Sequence, residues 1–238
     1  MKHTFGVIGA MASEVQNLIG QMKNAKAETV VGLTFHCGSI GENAVILVQS
    51  GIGKVSAARC AQILIDRYAP DYLINTGIGG GVGEGLHVGD VVIGSELVQH
   101  DFDLSGFGTY VPGYISGFGD GKSPSVFRSD EGLKQAFLRT VYTFLPRDRV
   151  HEGRIATGDQ FIAGAAEKAR LRERFSALVA EMEGGAIAQT AVMSGVPFIV
   201  VRVISDLADG TAAASFDAFE QETADLSARV IEACVRSF

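Results

Sequence analysis

The chain is 238 residues long, 47% apolar and 20% charged, with a formal net charge of −7. That length and balance suit a globular protein with a large buried core and exclude a disordered or fibrous chain. The acidity argues against nucleic acid as the main partner, because phosphate binding needs a basic face.

Lys2 and His3 precede a short apolar stretch ending in Ala10-Met11-Ala12, which imitates a secretion signal. The stretch is short, is broken by Gly6 and Gly9, and reads better as a first buried strand over residues 5–8. Val15, Leu18, Ile19 and Met22 then stand at helical spacing, with Ser13 as the expected N-cap. Strands are predicted at 30–37 and 44–49, with Gly41, Glu42 and Asn43 as the turn between them. Gly51-Ile52-Gly53 leads into a helix over 55–68. A buried strand at 72–74 ends in the glycine tract 77–85, and 90–98 is another strand. Residues 104–124 are rich in Gly, Ser and aromatics and show no period, the mark of a lid or binding loop.

Helix 132–145, strand 150–157, helix 165–175, strand 178–182, helix 186–193 and strand 198–204 follow. The last helix shows Phe216, Phe219, Thr223, Leu226, Val230 and Cys234 on one stripe. Its acids Glu220 and Glu222 come early and its bases Arg229 and Arg236 late, as the helix dipole prefers. Alternating strands and helices, with no repeat, linker or break in composition, predict one α/β domain over 1–238. No apolar run approaches the ~20 residues of a membrane span, so no membrane partner is expected. Cys37, Cys60 and Cys234 are scattered and lack a C-x-x-C spacing. They fit a reducing compartment, with the cytoplasm as the expected location, and argue against a zinc site.

The glycine-rich segments invite a nucleotide reading. Gly51-Ile52-Gly53 has Ser56 where the third glycine of G-x-G-x-x-G belongs, and every register through 77–85 fails at its last position. Gly121-Lys122-Ser123 resembles the end of a P-loop, but Ser116 stands at the first glycine position and Pro124 follows, so it reads as a surface turn. The glycines still allow backbone N–H groups to approach a ligand closely after a strand.

Three acidic positions carry candidate chemistry. Asp206 ends an apolar run interrupted only by Arg202. Ligands of open α/β sheets gather at the carboxyl ends of strands, where a desolvated carboxylic acid can serve as a proton donor. The plainer reading is a turn cap or an ion pair with Arg202. Glu14, in the first helical turn after the first strand, is expected to stay ionised beside the helix N-terminus and could act as a base. Alone it would read as a solvated helix-start glutamate. Glu181 and Glu183 alternate to one side of a strand end with Met182 opposite. Two acids there need partners, either a ligand or a salt-bridge network.

These sites sit within seven ordered motifs: Gly9-Ala10-Met11-Ala12-Ser13-Glu14-Val15, Ser50-Gly51-Ile52-Gly53-Lys54-Val55, Asn75-Thr76-Gly77, His87-Val88-Gly89-Asp90, Gly158-Asp159-Gln160-Phe161-Ile162, Glu181-Met182-Glu183 and Arg202-Val203-Ile204-Ser205-Asp206. Over almost the whole chain they resemble the purine nucleoside phosphorylase/nucleosidase superfamily, and most closely its methylthioadenosine/S-adenosylhomocysteine nucleosidases. One departure is Ile78-Gly79-Gly80, where the family often carries Ser-Ala-Gly-Gly.

The resemblance implies a central mixed, twisted β-sheet flanked by helices and hydrolysis of the N-glycosidic bond of 5'-modified adenine nucleosides. Asp206, helped by Ser205, would protonate the purine, and Glu14 would activate water. Glu183 would bind the ribose hydroxyls, with Met182 packed beneath the sugar; Glu181 and Arg202 are counted among the binding residues. Phe161 would stack on the purine while the backbone of Ile162 reads its edge. Met11, Ile52 and Phe216 would line the 5' pocket. Phe107, and with it Pro112, would reach into a partner's site in a homodimer. No metal or redox cofactor is implied. A purine nucleoside phosphorylase and a futalosine-type nucleosidase stand as the alternatives.

Overall fold

The computed structural model describes residues 2–210 and 212–238. Its first strand, β1 (Thr4–Gly9), is almost wholly buried because it runs mid-sheet between parallel neighbours. The side chains of β1 alternate between two cores, Phe5 and Val7 on one face and Ile8 on the other. After β1 come α1 (Ala12–Gln21), β2 (Lys23–Val30), β3 (Leu33–Ile40), β4 (Asn43–Gln49), α2 (Lys54–Tyr68), β5 (Tyr72–Asn75) and β6 (Ile78–Gly81). Then follow β7 (Val91–Gln99), β8 (Phe127–Arg128), α3 (Glu131–Val141), β9 (Val150–Thr157), α4 (Ala165–Phe175), β10 (Ala177–Glu181), α5 (Gly184–Ser194), β11 (Phe198–Asp206) and α6 (Ala212–Ser237).

Among the described residues the strands form one mixed sheet in the order β2-β3-β4-β1-β5-β11-β6-β10-β9-β7-β8. The middle of β11 also pairs with β7, antiparallel, so β11, β6, β10, β9 and β7 close into a ring. Helices α1, α3 and α6 cover one face around Leu18, Phe137 and Ile231. Helices α2 and α5 cover the other around Leu64 and Ile187. A glycine makes the α2 contact close: a Cβ on Gly6 would lie 2.4 Å from Leu64 Cδ2. The strand ends of β1, β10 and β11 carry Gly9, Glu181 and Asp206, and the residues with chemistry collect there.

Several expectations need correction. The strand predicted at 30–37 is β3, shifted by three residues, and β2 before it went unpredicted because it is exposed along nearly its whole length and carries no apolar signal. The glycine tract hides β6, whose Gly79 and Gly80 pair with β10 and β11 where side chains have little room. Strand β8 is only two residues long and lies beyond the reach of a period. Ser13 is not the N-cap of α1: Met11 holds that position and the Glu14 side chain closes the turn, while Ser13 Oγ donates to Glu220 Oε1 at 2.7 Å. The buried face of α6 holds Thr223, Val230 and Cys234 of the expected stripe but is broader than that stripe. Ala224, Ser227, Ala228 and Ile231 are buried and Phe219 is exposed, so small residues bring the helix close enough for Ser227 Oγ to meet Thr76 Oγ1 at 2.7 Å.

Truncating Ile231 to Ala empties a fully buried position and should lower stability by about 2–5 kcal/mol. Lys26→Ala on exposed β2 should change it by less than about 0.5 kcal/mol. Urea denaturation of the two variants checks that α6, rather than the β2 edge, carries the core.

Candidate active site

A cavity of about 190 Å³ opens at these strand ends. Around it the structure brings together Met11, Glu14, Ile52, Phe161, Glu181, Met182, Glu183, Ser205, Asp206 and Phe216 from segments far apart in sequence. Ile162 joins Phe161 and Asp206 around a smaller adjoining recess. Two expected site residues lie elsewhere. Arg202 is 1% exposed and sits beneath the cavity, facing the acids instead of the open space. Phe107 is 76% exposed, in a 3-10 turn over Ser105–Phe107 of the long loop, and does not line the cavity of its own chain. Residues 104–124 are otherwise irregular, as their lack of period predicted.

Glu14 is held by its own helix start. Its Oε2 accepts the N–H groups of Ala10 at 2.6 Å and Met11 at 3.0 Å, and its Oε1 that of Ile78 at 3.1 Å. Gly77 makes room for this: a Cβ there would stand 2.5 Å from Glu14 Oε1. The expectation that the helix start simply keeps Glu14 ionised is incomplete. Burial raises its proton affinity above the usual carboxylate range, and Arg202 and the three N–H donors oppose that rise.

Arg202 anchors the other two glutamates. One terminal nitrogen of its guanidinium donates to Glu181 Oε2 and to Asn75 Oδ1, the latter at 2.6 Å, and lies 3.9 Å from Glu183 Oε2. Glu181 Oε2 also accepts the Gly184 N–H at 2.7 Å, and its Oε1 accepts from the Thr157 hydroxyl. Glu183 Oε1 accepts the Gly53 N–H at 2.9 Å. Burial first, and then the neighbouring Glu181, pushes the Glu183 carboxyl up to about 7, against the pull of Arg202. The ion pair expected as an alternative between Arg202 and Asp206 does not form, because Arg202 is committed to Glu181 and Asn75.

Asp206 has a separate environment. Its Oδ1 accepts the Ala208 N–H at 2.8 Å and its Oδ2 the Ser205 hydroxyl at 2.9 Å. Burial raises its proton affinity as well. Phe161, 52% exposed, stands edge-on to Phe216 with ring centroids 6.0 Å apart, leaving a face open over the cavity. Sequence reasoning passed over Asn75 and Thr157, the two neutral residues that orient Arg202 and Glu181; their position at strand ends was the available signal. Ile78, at the family departure, lines the cavity and serves Glu14 with its backbone N–H. Among the described residues no three His, Cys, Asp or Glu side chains are grouped as a metal site requires.

The raised Glu183 carboxyl has a consequence for stability. In the fold it keeps its proton up to about pH 7, whereas an exposed glutamate loses it near 4.5. The native state therefore binds more protons across that window, and stability falls as pH rises through it. Glu183→Gln removes this part of the slope and should gain on the parent protein by at most on the order of 3 kcal/mol by pH 8. Thermal unfolding of both proteins between pH 4.5 and 8 measures it.

The model of the phosphorylase superfamily matches residues 4–236. The chain is 43% identical, over 97% of its length and 95% of the relative's, to a 5'-methylthioadenosine/S-adenosylhomocysteine nucleosidase of Chromohalobacter salexigens. A crystal structure of the nucleosidase of that name from Neisseria meningitidis, in complex with methylthio-immucillin-A, superposes with a TM-score of 0.92 at 39% identity, covering 99% of this chain and 100% of that one. A futalosine hydrolase of Helicobacter pylori is similar in fold, with a TM-score of 0.91 at 30% identity, covering 99% of this chain and 98% of the other. On sequence, fold and coverage together, the chain belongs to the phosphorylase superfamily and, within it, to the 5'-methylthioadenosine/S-adenosylhomocysteine nucleosidase family.

Proposed function

We propose that the protein hydrolyses the N-glycosidic bond of 5'-methylthioadenosine and S-adenosylhomocysteine, and of 5'-deoxyadenosine, releasing adenine and the 5'-substituted ribose. The observation that carries this reading is the make-up of the cavity wall. Four carboxyl side chains line it, Glu14, Glu181, Glu183 and Asp206, and none of its described lining residues is Lys, Arg or His. A phosphorolytic enzyme must seat an anion beside the sugar; here that anion would meet carboxylates and no balancing cation. Water fits such a wall.

The chemistry then divides among residues already in place. Asp206, protonated, gives its proton to N7 of the purine as the C–N bond breaks, and Ser205 steadies the carboxylate that remains. Glu14 orients the attacking water and takes its proton as the hydroxyl joins C1'. A base with proton affinity raised towards the working pH takes that proton more readily than an ordinary carboxylate. Glu183 binds the ribose hydroxyls, Met182 packs under the sugar, and Phe161 stacks on the base while Ile162 reads its edge. Met11, Ile52 and Phe216 offer the 5' substituent an apolar end, which suits a thioether. Arg202 acts from beneath through Glu181 and Glu183.

The protein acts as a homodimer in this reading. Ile52, Val55, Phe107 and Met193 are apolar and each more than half exposed, an amount of apolar surface that fits an interface. Phe107, remote from its own cavity, completes the neighbour's 5' pocket. The free thiols of Cys37, Cys60 and Cys234 support a reducing, cytoplasmic setting.

In phosphate-free buffer, methylthioadenosine should yield adenine and free 5-methylthioribose, and millimolar phosphate should neither speed the reaction nor yield a sugar 1-phosphate. Glu14→Gln should keep nucleoside binding while losing most turnover, and Asp206→Asn should lose on the order of 10²–10⁴ in kcat. A phosphate-dependent rate would sink the hydrolase reading. Ranking kcat/KM over methylthio, homocysteinyl, deoxy and futalosine-type substrates fixes the 5' preference. Sedimentation should give a dimer, and Phe107→Ala should raise KM for methylthioadenosine; an active monomer would refute the shared pocket.

A further inference from the structure

The residues after Asp206 form a turn that an ordinary backbone would not choose. Asp206 Oδ1 accepts the Ala208 N–H two residues on, and Ala208, fully buried, sits at φ +47° without being glycine. A non-glycine residue in the left-handed region costs roughly 1–2 kcal/mol, so the surroundings must hold the turn in place. The turn leaves the carbonyl of Leu207 facing α4, where Lys168 Nζ donates to it at 2.6 Å.

The place of Lys168 on its helix is itself unusual. It is the fourth residue of α4, and its backbone N–H bonds to Gly164 O at the helix start. A cation in a first turn is disfavoured by the helix dipole. A charge-assisted bond to a carbonyl offsets that penalty. The segment leading into α4 carries Phe161 and Ile162, so Lys168 ties the purine-facing loop to the turn that holds Asp206.

We propose that Lys168 is a positioning residue for the proton donor, pinning the Asp206–Ala208 turn through the Leu207 carbonyl and holding its positive charge where the Asp206 carboxylate forms when the purine takes the proton. This rests on the reading of Asp206 as the general acid. In that step the proton passes from Asp206 to N7, the C–N bond breaks, and a buried carboxylate is left behind. Burial alone would make Asp206 a reluctant donor. The Ala208 N–H, the Ser205 hydroxyl and the charge of Lys168 lower its proton affinity, while Asp209 raises it. From β10, the N-cap of α5 and α1, Glu181, Glu183 and Glu14 line the same cavity. Of the side chains that act on Asp206, Ser205 and Asp209 belong to its own segment, and Lys168 is the cation supplied from another element.

The test is kcat and KM for methylthioadenosine from pH 5 to 10 with the full-length protein and its Lys168→Met, Lys168→Arg and Asp206→Asn variants. Activity needs protonated Asp206, so it falls on the alkaline side as Asp206 ionises. Losing the lysine charge should displace that limb to higher pH and lower the plateau kcat by about tenfold, with little change in KM. Lys168→Arg, which keeps charge and donor, should recover most of both. If Lys168→Met does not fold, Lys168→Gln, which drops the charge but keeps a donor, is read by the same limb. An unmoved limb, a loss confined to KM, or a loss that arginine does not recover overturns the proposal. Asp206→Asn reads the underlying assignment separately. If it keeps more than half of kcat, the acid is wrongly assigned. If it is inactive while Lys168→Met matches the parent protein, only the role of Lys168 falls.

Discussion

The structure is organised around one buried guanidinium. Arg202 lies in the middle of β11 with 1% of its surface exposed, and an unpaired charge at such a place would cost several kcal/mol. The fold therefore has to bring partners to it, and it does so from separate strands: Asn75 ends β5, Glu181 ends β10, and Thr157 at the end of β9 braces Glu181 from behind. Glu181 in turn takes the N–H groups of Glu183 and Gly184 and so fixes where α5 begins. One cation thus sets the relative positions of three strand ends and a helix start. It is outnumbered by acids, and that imbalance, together with burial, keeps Glu183 a far weaker acid than an exposed glutamate.

The glycine tracts are the complement of these carboxylates. A Cβ on Gly77 would press on Glu14 Oε1, and one on Gly80 would stand 3.0 Å from Asp206 Oδ1. The glycines that invited a nucleotide fingerprint and failed it have a local reason. They leave room for acidic side chains turned inward at strand ends, where backbone N–H groups can also reach them.

This explains which parts of the molecule could be read from sequence. The buried strands and amphipathic helices were legible because their periods are set by the sheet and by the two cores it separates. The acids were legible because a carboxylate at the end of an apolar run is costly without a purpose. Strand β2 was not, since an exposed edge imposes no apolar pattern, and neither was β6, whose glycines carry no strand preference. The stripe of α6 was read only in part, with Thr223, Val230 and Cys234 buried as expected, for a related reason. Counting large apolar residues favours Phe219, whereas close packing against the sheet selects Ala224, Ser227 and Ala228. The burial of Arg202 away from the cavity was also out of reach, because nothing local shows that Asn75, distant in sequence, supplies its acceptor.

Residue type alone does not decide which acid carries the proton. Glu14 and Asp206 are both buried carboxyls whose proton affinities burial has raised. What distinguishes them is the support each gives its charged form. Glu14 accepts three backbone N–H groups and feels the guanidinium of Arg202. Asp206 has one N–H, one hydroxyl and the charge of Lys168, with Asp209 working against them. More donors on the charged form mean a lower proton affinity for the same burial. Burial still raises both carboxyls, and the donors oppose that rise more heavily at Glu14 than at Asp206; two such different environments suit the proposed division into a base on the water side and an acid on the purine side. In the proposed reading, two carboxyls of ordinary chemistry take opposite tasks, each within its own set of donors.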